Sequence, residues 1–177
     1  SHPDRASSRM PPASSTSGGA SRVVLFLCSG NYYRSRFAEA YFNARAAALP
    51  LPWVAVSRGF RLSAKNVGPV SPFVPEALRR SGLAAWVDDR EPRTVADADF
   101  DAASLVVCLK EAEHRPMMER MFPLRIPQVE FWRIDDVDCA LPDDALSQLA
   151  TEIDRLTARL SDVAPSAVAR PNAAETD

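Results

Sequence analysis

Histidine, cysteine and lysine are all scarce in this 177-residue chain, and each scarcity removes a class of chemistry. Histidine occurs only as His2 and His114. A zinc site draws on about four ligands at characteristic spacings, and no such spacing exists here. A Ser-His-Asp hydrolase would have to be built on His114 alone. The three cysteines, Cys28, Cys108 and Cys139, are an odd number without a Cys-x-x-Cys pair. They cannot form a disulfide framework, so reduced thiols are expected. No metal or other cofactor is implied. Of 21 basic residues only Lys65 and Lys110 are lysine, and 23 acidic residues bring the net charge to −2. That balance gives no basis for a nucleic-acid or membrane partner. No apolar run exceeds the six residues of Val23–Cys28, against the ~20 that cross a bilayer. It is also too short for the core of a signal peptide. A cytoplasmic protein is expected, of unspecified oligomeric state.

What is present fits one domain flanked by two tails. Residues 1–21 hold seven Ser, three Pro and two Gly with almost no large apolar side chain. Such a segment buries too little surface to offset its ordering entropy, and a disordered tail is expected. From 162 to 177 the composition reverts to Ala, Pro, Ser and Asn, and a second disordered tail is expected. Between them, 22–161, strand and helix patterns alternate. Val23–Leu27 reads as a strand buried on both faces. A helix is predicted over Ser35–Ala47, a strand over Trp53–Val56, and a helix over Ser71–Arg80 that stops at Gly82. Leu105–Leu109 is a third strand, Pro116–Phe122 a short helix entered at its proline, and Arg125–Val129 a weaker fourth strand. The last helix, Asp143–Leu160, carries Leu146, Leu149, Ile153, Leu156 and Leu160 at 3-4-3-4 spacing. This alternation predicts an α/β fold with a parallel sheet, whose ligands bind beyond the carboxyl ends of the strands.

The loop after Leu27 reads Cys28-Ser29-Gly30-Asn31-Tyr32-Tyr33-Arg34-Ser35. A thiol ends a buried strand, and a helix begins six residues later. Successive backbone N–H groups in such a loop can converge into an anion nest, reinforced by the positive end of the helix dipole. Gly30 offers positive φ, and Asn31 tolerates the left-handed region. Arg34 presents a planar fork to a tetrahedral oxyanion. A helix N-terminus and a neighbouring Arg both favour a thiolate, and a thiolate beneath bound phosphate is a nucleophile aimed at phosphorus. Cys-x5-Arg by itself is a weak signal; its weight comes from the strand before and the helix after.

Val24-Leu25-Phe26-Leu27-Cys28-Ser29-Gly30-Asn31, with Arg34-Ser35 and Ala38-Glu39, resembles the opening of the low-molecular-weight protein tyrosine phosphatases. The thioredoxin-linked arsenate reductases share that fold. Val56-Ser57 with Gly59, Asn66-Val67-Gly68 and an Asp-rich loop before the last helix extend the resemblance across Val23–Leu160. It implies a three-layer α/β/α sandwich with a four-stranded parallel sheet and the phosphate-binding loop after the first strand. It also implies a metal-independent phosphatase acting on aryl phosphate or protein phosphotyrosine through a phosphocysteine on Cys28. Arg34 and the loop amides from Ser29 onward would hold the equatorial oxygens. Asn31 and Ser35 would brace the loop, with Ser35 hydrogen-bonded to the sulfur. The general acid of the family sits in an Asp-Pro pair. In Phe131-Trp132-Arg133-Ile134-Asp135-Asp136-Val137-Asp138 it falls on Asp136, with Asp135 in reserve and Val137 where the proline would be.

Two departures matter. Tyr33 takes the place of a second loop cysteine, so no protective disulfide can form within the loop. Tyr32 occupies the variable rim position, where an aromatic either stacks on an aryl phosphate or walls the pocket. An arsenate reductase would need two further thiols after the third strand. Lys110 stands at the first of these positions, Cys108 is expected in the core, and Cys139 is a candidate redox partner of Cys28. A non-catalytic phosphate-binding module is the remaining alternative. His114 is expected at the surface, and Met117, Met118 and Met121 as core filler.

Overall fold

The computed structural model of the chain describes residues 21–134 and 142–176. The apolar run becomes strand β1 (Arg22–Cys28), whose residues 24–27 are fully buried because the strand is covered on both faces. It pairs in parallel with β2 (Trp53–Gly59) on one side and β3 (Leu105–Cys108) on the other. β3 in turn pairs in parallel with β4 (Val129–Phe131), giving the order β2-β1-β3-β4. Alternate residues of β1 serve two cores. Val24, Phe26 and Cys28 pack with Phe37 and Phe42 of α1 (Arg34–Ala48), Val74 and Leu78 of α2 (Phe73–Arg79), and Leu146, Leu149, Ile153 and Leu156 of α5 (Pro142–Thr176). Leu25 and Leu27 face the other way, toward Phe100 of α3 (Asp97–Ala102) and Met118 of α4 (Glu111–Met121). The result is the three-layer α/β/α sandwich with a four-stranded parallel sheet.

Several boundaries differ from the sequence reading. The fourth strand is not Arg125–Val129. Pro123–Gln128 is a 3-10 helix and the strand starts at Val129, because Pro127 has no N–H to give a sheet ladder. α4 begins at Glu111, five residues before the proline at which a helix start was expected. Pro116 forfeits only the bond to the carbonyl of solvent-exposed Ala112, which water can satisfy. α3 went unpredicted because Phe100 is its one buried side chain, so it has no apolar period; Asp99 closes its start by accepting from the Ala96 N–H at 2.8 Å. α2 does end before Gly82, which takes φ 74. α5 outruns its apolar pattern and continues as helix to Thr176, through residues expected to be a tail. Among the described residues no helix is long and apolar enough to cross a membrane.

Leu149 is fully buried where α5 meets the sheet. Leu149→Ala is expected to cost about 2–5 kcal/mol, seen as a lower urea midpoint with an unchanged slope; a loss well below that range would place the core elsewhere.

Candidate active site

The loop between β1 and α1 is closed by Asn31, the one loop residue in the left-handed region (φ 53). The positive φ expected at Gly30 is not there; the turn belongs to Asn31, whose side chain compensates for the backbone cost. That side chain is fully buried and uses all of its hydrogen-bonding capacity. Its Nδ2 donates to Ser35 Oγ and Ser57 Oγ, both at 2.9 Å. Its Oδ1 accepts from the Arg93 N–H at 2.9 Å and from Arg90 at 3.2 Å. Behind it, Ser57 donates to Glu39 at 2.6 Å, and Arg90 bridges Glu39 and Ser57. Fully buried Arg36 then ties the segments around residues 69 and 88–90 together through three carbonyls and the Asp88 carboxylate.

The loop carbonyls are held from outside. Cys28 O accepts from Phe60 N, Ser29 O from Arg61 N and Tyr32 O from Ser71 N, at 2.8–3.1 Å. In a trans peptide the N–H points opposite to the C=O, so the N–H groups of Ser29, Gly30 and Tyr33 turn away from those outer segments. The Asn31 N–H donates directly to Cys28 Sγ at 3.3 Å. Ser35 Oγ lies 2.9 Å from the same sulfur. As a thiol, Cys28 donates to that oxygen; as a thiolate the sulfur can only accept, and the Ser35 hydroxyl then donates to it.

Arg34 starts α1 with its side chain 9% exposed. One guanidinium nitrogen, Nη2, lies 3.6 Å from Glu113 Oε1, while Nη1 is buried without a protein partner. A buried, unmatched guanidinium nitrogen costs free energy unless an anion meets it. Together with the nest it makes the loop that starts at Cys28 a candidate site for a tetrahedral oxyanion.

Ser29, Gly30, Tyr32 and Tyr33 complete the loop. The Tyr32 hydroxyl donates to the Val67 carbonyl at 2.6 Å, and the Tyr33 ring meets Phe73 edge-on at 6.2 Å. Both tyrosines thus wall the mouth, beside the exposed apolar side chains of Val67 and Phe73. Cys108 is fully buried in the core, as expected, on the sheet face opposite to Cys28; burial pushes its thiol strongly up. Asp136, Asp135 and Cys139 lie outside the described residues.

Besides Arg36, Arg90 and Arg93, three contributors were not evident from the sequence. Gly59 faces the loop so closely that an added Cβ would sit 2.8 Å from Asn31 N and Ser29 O; only its pairing with Cys28 across the sheet reveals this. His114, expected at the surface, is fully buried. Its Nδ1 accepts from the Lys110 N–H at 3.0 Å, and its Nε2 lies 3.4 Å from Ser29 Oγ. Burial, with Arg34 and Lys110 nearby, pulls it from 6.5 down to about 4 despite the opposing charge of Glu113. Glu113 itself accepts from the Ser29 hydroxyl. The misplaced start of α4 concealed both residues.

A thiol, a loop of inward amides and an unmatched buried guanidinium at the end of a central parallel strand define a phosphate-handling α/β protein. The family model for low molecular weight phosphotyrosine protein phosphatases matches residues 23–133, and the chain belongs to that family, as a phosphatase of its fold. The solved structure of the low molecular weight protein tyrosine phosphatase from T. tengcongensis is similar, with TM-score 0.67, 24% identity, and 78% of this chain and 99% of that one covered. YfkJ from Bacillus subtilis gives TM-score 0.70 at 24% identity over 82% of this chain and 98% of its own. The YwlE arginine phosphatase from Geobacillus stearothermophilus gives 0.65 at 22% identity over 80% and 94%. No curated protein sequence is significantly similar to the chain.

Two outcomes follow from this geometry. Gly59→Ala forces the loop outward and is expected to cost about 1–3 kcal/mol, the usual range for overpacking, and to weaken binding of inorganic phosphate measured by calorimetry. Unchanged phosphate affinity would contradict the close approach. Between pH 6.5 and about 4 the unfolded chain takes up a proton that folded His114 refuses, so stability falls as pH drops through that window. Denaturation midpoints across it should fall less steeply in His114→Gln; an identical slope would assign the loss to another group.

Proposed function

We propose that the protein hydrolyses aryl phosphate monoesters, protein phosphotyrosine among them, without a metal and through a phosphocysteine intermediate. The observation that carries this reading is Cys28 Sγ within hydrogen-bond reach of the Asn31 N–H and the Ser35 hydroxyl, at the floor of a loop whose Arg34 keeps a buried nitrogen without a protein partner. The Cys28 thiolate attacks phosphorus in line, so the S–P bond forms as the bond to the leaving oxygen breaks. Asp136 gives that oxygen its proton. Water then attacks the phosphocysteine and passes a proton to the Asp136 carboxylate; the S–P bond breaks and inorganic phosphate departs. Arg34 and the loop amides hold the equatorial oxygens through both steps, supplying the positive charge that the transition state requires. Serine at 35 directs a hydroxyl to the sulfur, which stabilises it as attacking and as leaving group alike.

The mouth supports an aryl leaving group. Tyr32 and Tyr33 stand beside Phe73 and Val67, the last 81% exposed, and aromatic faces favour a flat apolar substrate. The arsenate reductase alternative has little support among the described residues, whose free cysteines are Cys28 and Cys108. A structurally similar protein is an arginine phosphatase, so phosphoarginine is the informative competing substrate.

Hydrolysis of p-nitrophenyl phosphate without added metal, from about pH 5 to pH 8, tests the proposal. Cys28→Ser is expected to abolish turnover, and Asp136→Asn to lower it by ~10²–10⁴. Full rate in Asp136→Asn with loss in Asp135→Asn would move the acid by one residue. A wild type that binds phosphate without hydrolysing it would leave a binding module, and preference for phosphoarginine over phosphotyrosine would overturn the aryl assignment.

A further inference from the structure

The first turn of α4 touches the phosphate loop because β3 ends beside it: the Leu109 N–H donates to the Leu27 carbonyl at 3.1 Å, and the Glu111 N–H caps the Trp132 carbonyl at 2.7 Å. That delivers Glu113 and His114 to Ser29, the first loop residue after the nucleophile. The protons among them can be assigned one by one. The Lys110 N–H can only donate, so His114 Nδ1 accepts and the neutral ring carries its hydrogen on Nε2. Nε2 faces Ser29 Oγ at 3.4 Å, and Ser29 donates its hydroxyl hydrogen to Glu113 Oε2. The other carboxylate oxygen, Oε1, faces Arg34 Nη2 at 3.6 Å. The Phe60 ring lies against the imidazole with centroids 5.6 Å apart, which confines its tilt. Among the described residues, the charged groups around His114 are Glu113, Arg34 and Lys110.

We propose that His114, Ser29 and Glu113 form a one-directional hydrogen-bonded chain that positions Arg34, turning its guanidinium so that Nη1 faces the oxyanion in the loop. Each member has a distinct task. His114 fixes which way the Ser29 hydroxyl points, and Ser29 holds one oxygen of Glu113. Glu113, with its other oxygen, restrains one arm of the guanidinium and leaves the second arm for the ligand. A planar fork delivers two bonds only when its plane is set, and the partners behind a ligating group are what set it. Because Arg34 is itself part of the loop, these are positioning residues, not catalytic ones. The inference rests on the loop's being an oxyanion site, but not on which ester it hydrolyses.

A carboxylate beside an anion site repels anions, so a Glu113 that merely sat there would weaken binding, and its removal would tighten it. A double-mutant cycle read by tungstate calorimetry separates the two. Glu113→Gln is expected to weaken tungstate binding about tenfold in the wild-type background and less than about twofold in Arg34→Lys, whose ammonium has no plane to set. Ser29→Ala should weaken binding in the same direction, and should add little to Glu113→Gln. Equal losses in both backgrounds, no loss, or tighter binding would each overturn the proposal. The readout is independent of turnover: a wild type that binds tungstate but does not hydrolyse esters would end the phosphatase reading and leave the cycle intact. Hydrolysis with an additive cycle would do the reverse.

Discussion

Asn31 is the constraint on which the site depends. Its backbone adopts a conformation that most residues avoid, and that turn is what brings its own N–H to Cys28 Sγ. The conformation is held because the side chain is completely satisfied inside the protein by Ser35, Ser57, Arg90 and Arg93. One buried amide therefore links the nucleophile, the first turn of α1, the end of β2 and the segment leading into α3. A half-satisfied amide in that position would leave an unpaired polar atom in a low-dielectric interior, at a cost comparable to the strain it should restrain.

Charge is arranged around the same centre in a consistent way. Around the loop, Arg36, Arg90 and Arg34 are matched except at one atom. Arg36 meets Asp88 and three carbonyls, Arg90 meets Glu39, and Arg34 meets Glu113 on one side only. Unmatched buried charge is expensive, so the place where the pattern is incomplete, Arg34 Nη1, is where a ligand returns the most. The outward bonding of the loop carbonyls works to the same end. Every carbonyl fixed from behind turns a dipole's positive end toward the oxyanion, and bonds within the protein hold that arrangement.

The fold was legible because its determinants are local. A doubly buried strand, a thiol loop and a leucine-spaced last helix carry periods that sequence displays directly. Cys28, Asn31, Arg34 and Ser35 were legible for the same reason, since one turn holds them all. What sequence concealed was assembled by register across the sheet. Gly59 matters only because β2 places it opposite Cys28. Glu113 and His114 matter only because β3 aims the start of α4 at Ser29, and Pro116 disguised where that helix begins. The α3 helix, with one buried residue, gave no period to read. Asp136 rests on resemblance alone, and the family match over residues 23–133 stops short of it.

In the proposed mechanism Cys28 carries the phosphoryl group during turnover. Acid quenching of the protein during hydrolysis of an aryl phosphate, followed by mass spectrometry of the intact chain and its peptides, tests it directly. A phosphoryl adduct is expected on the peptide containing Cys28, absent when Cys28→Ser is treated identically. Sustained turnover with no adduct on Cys28, or with the adduct on another residue, would contradict it.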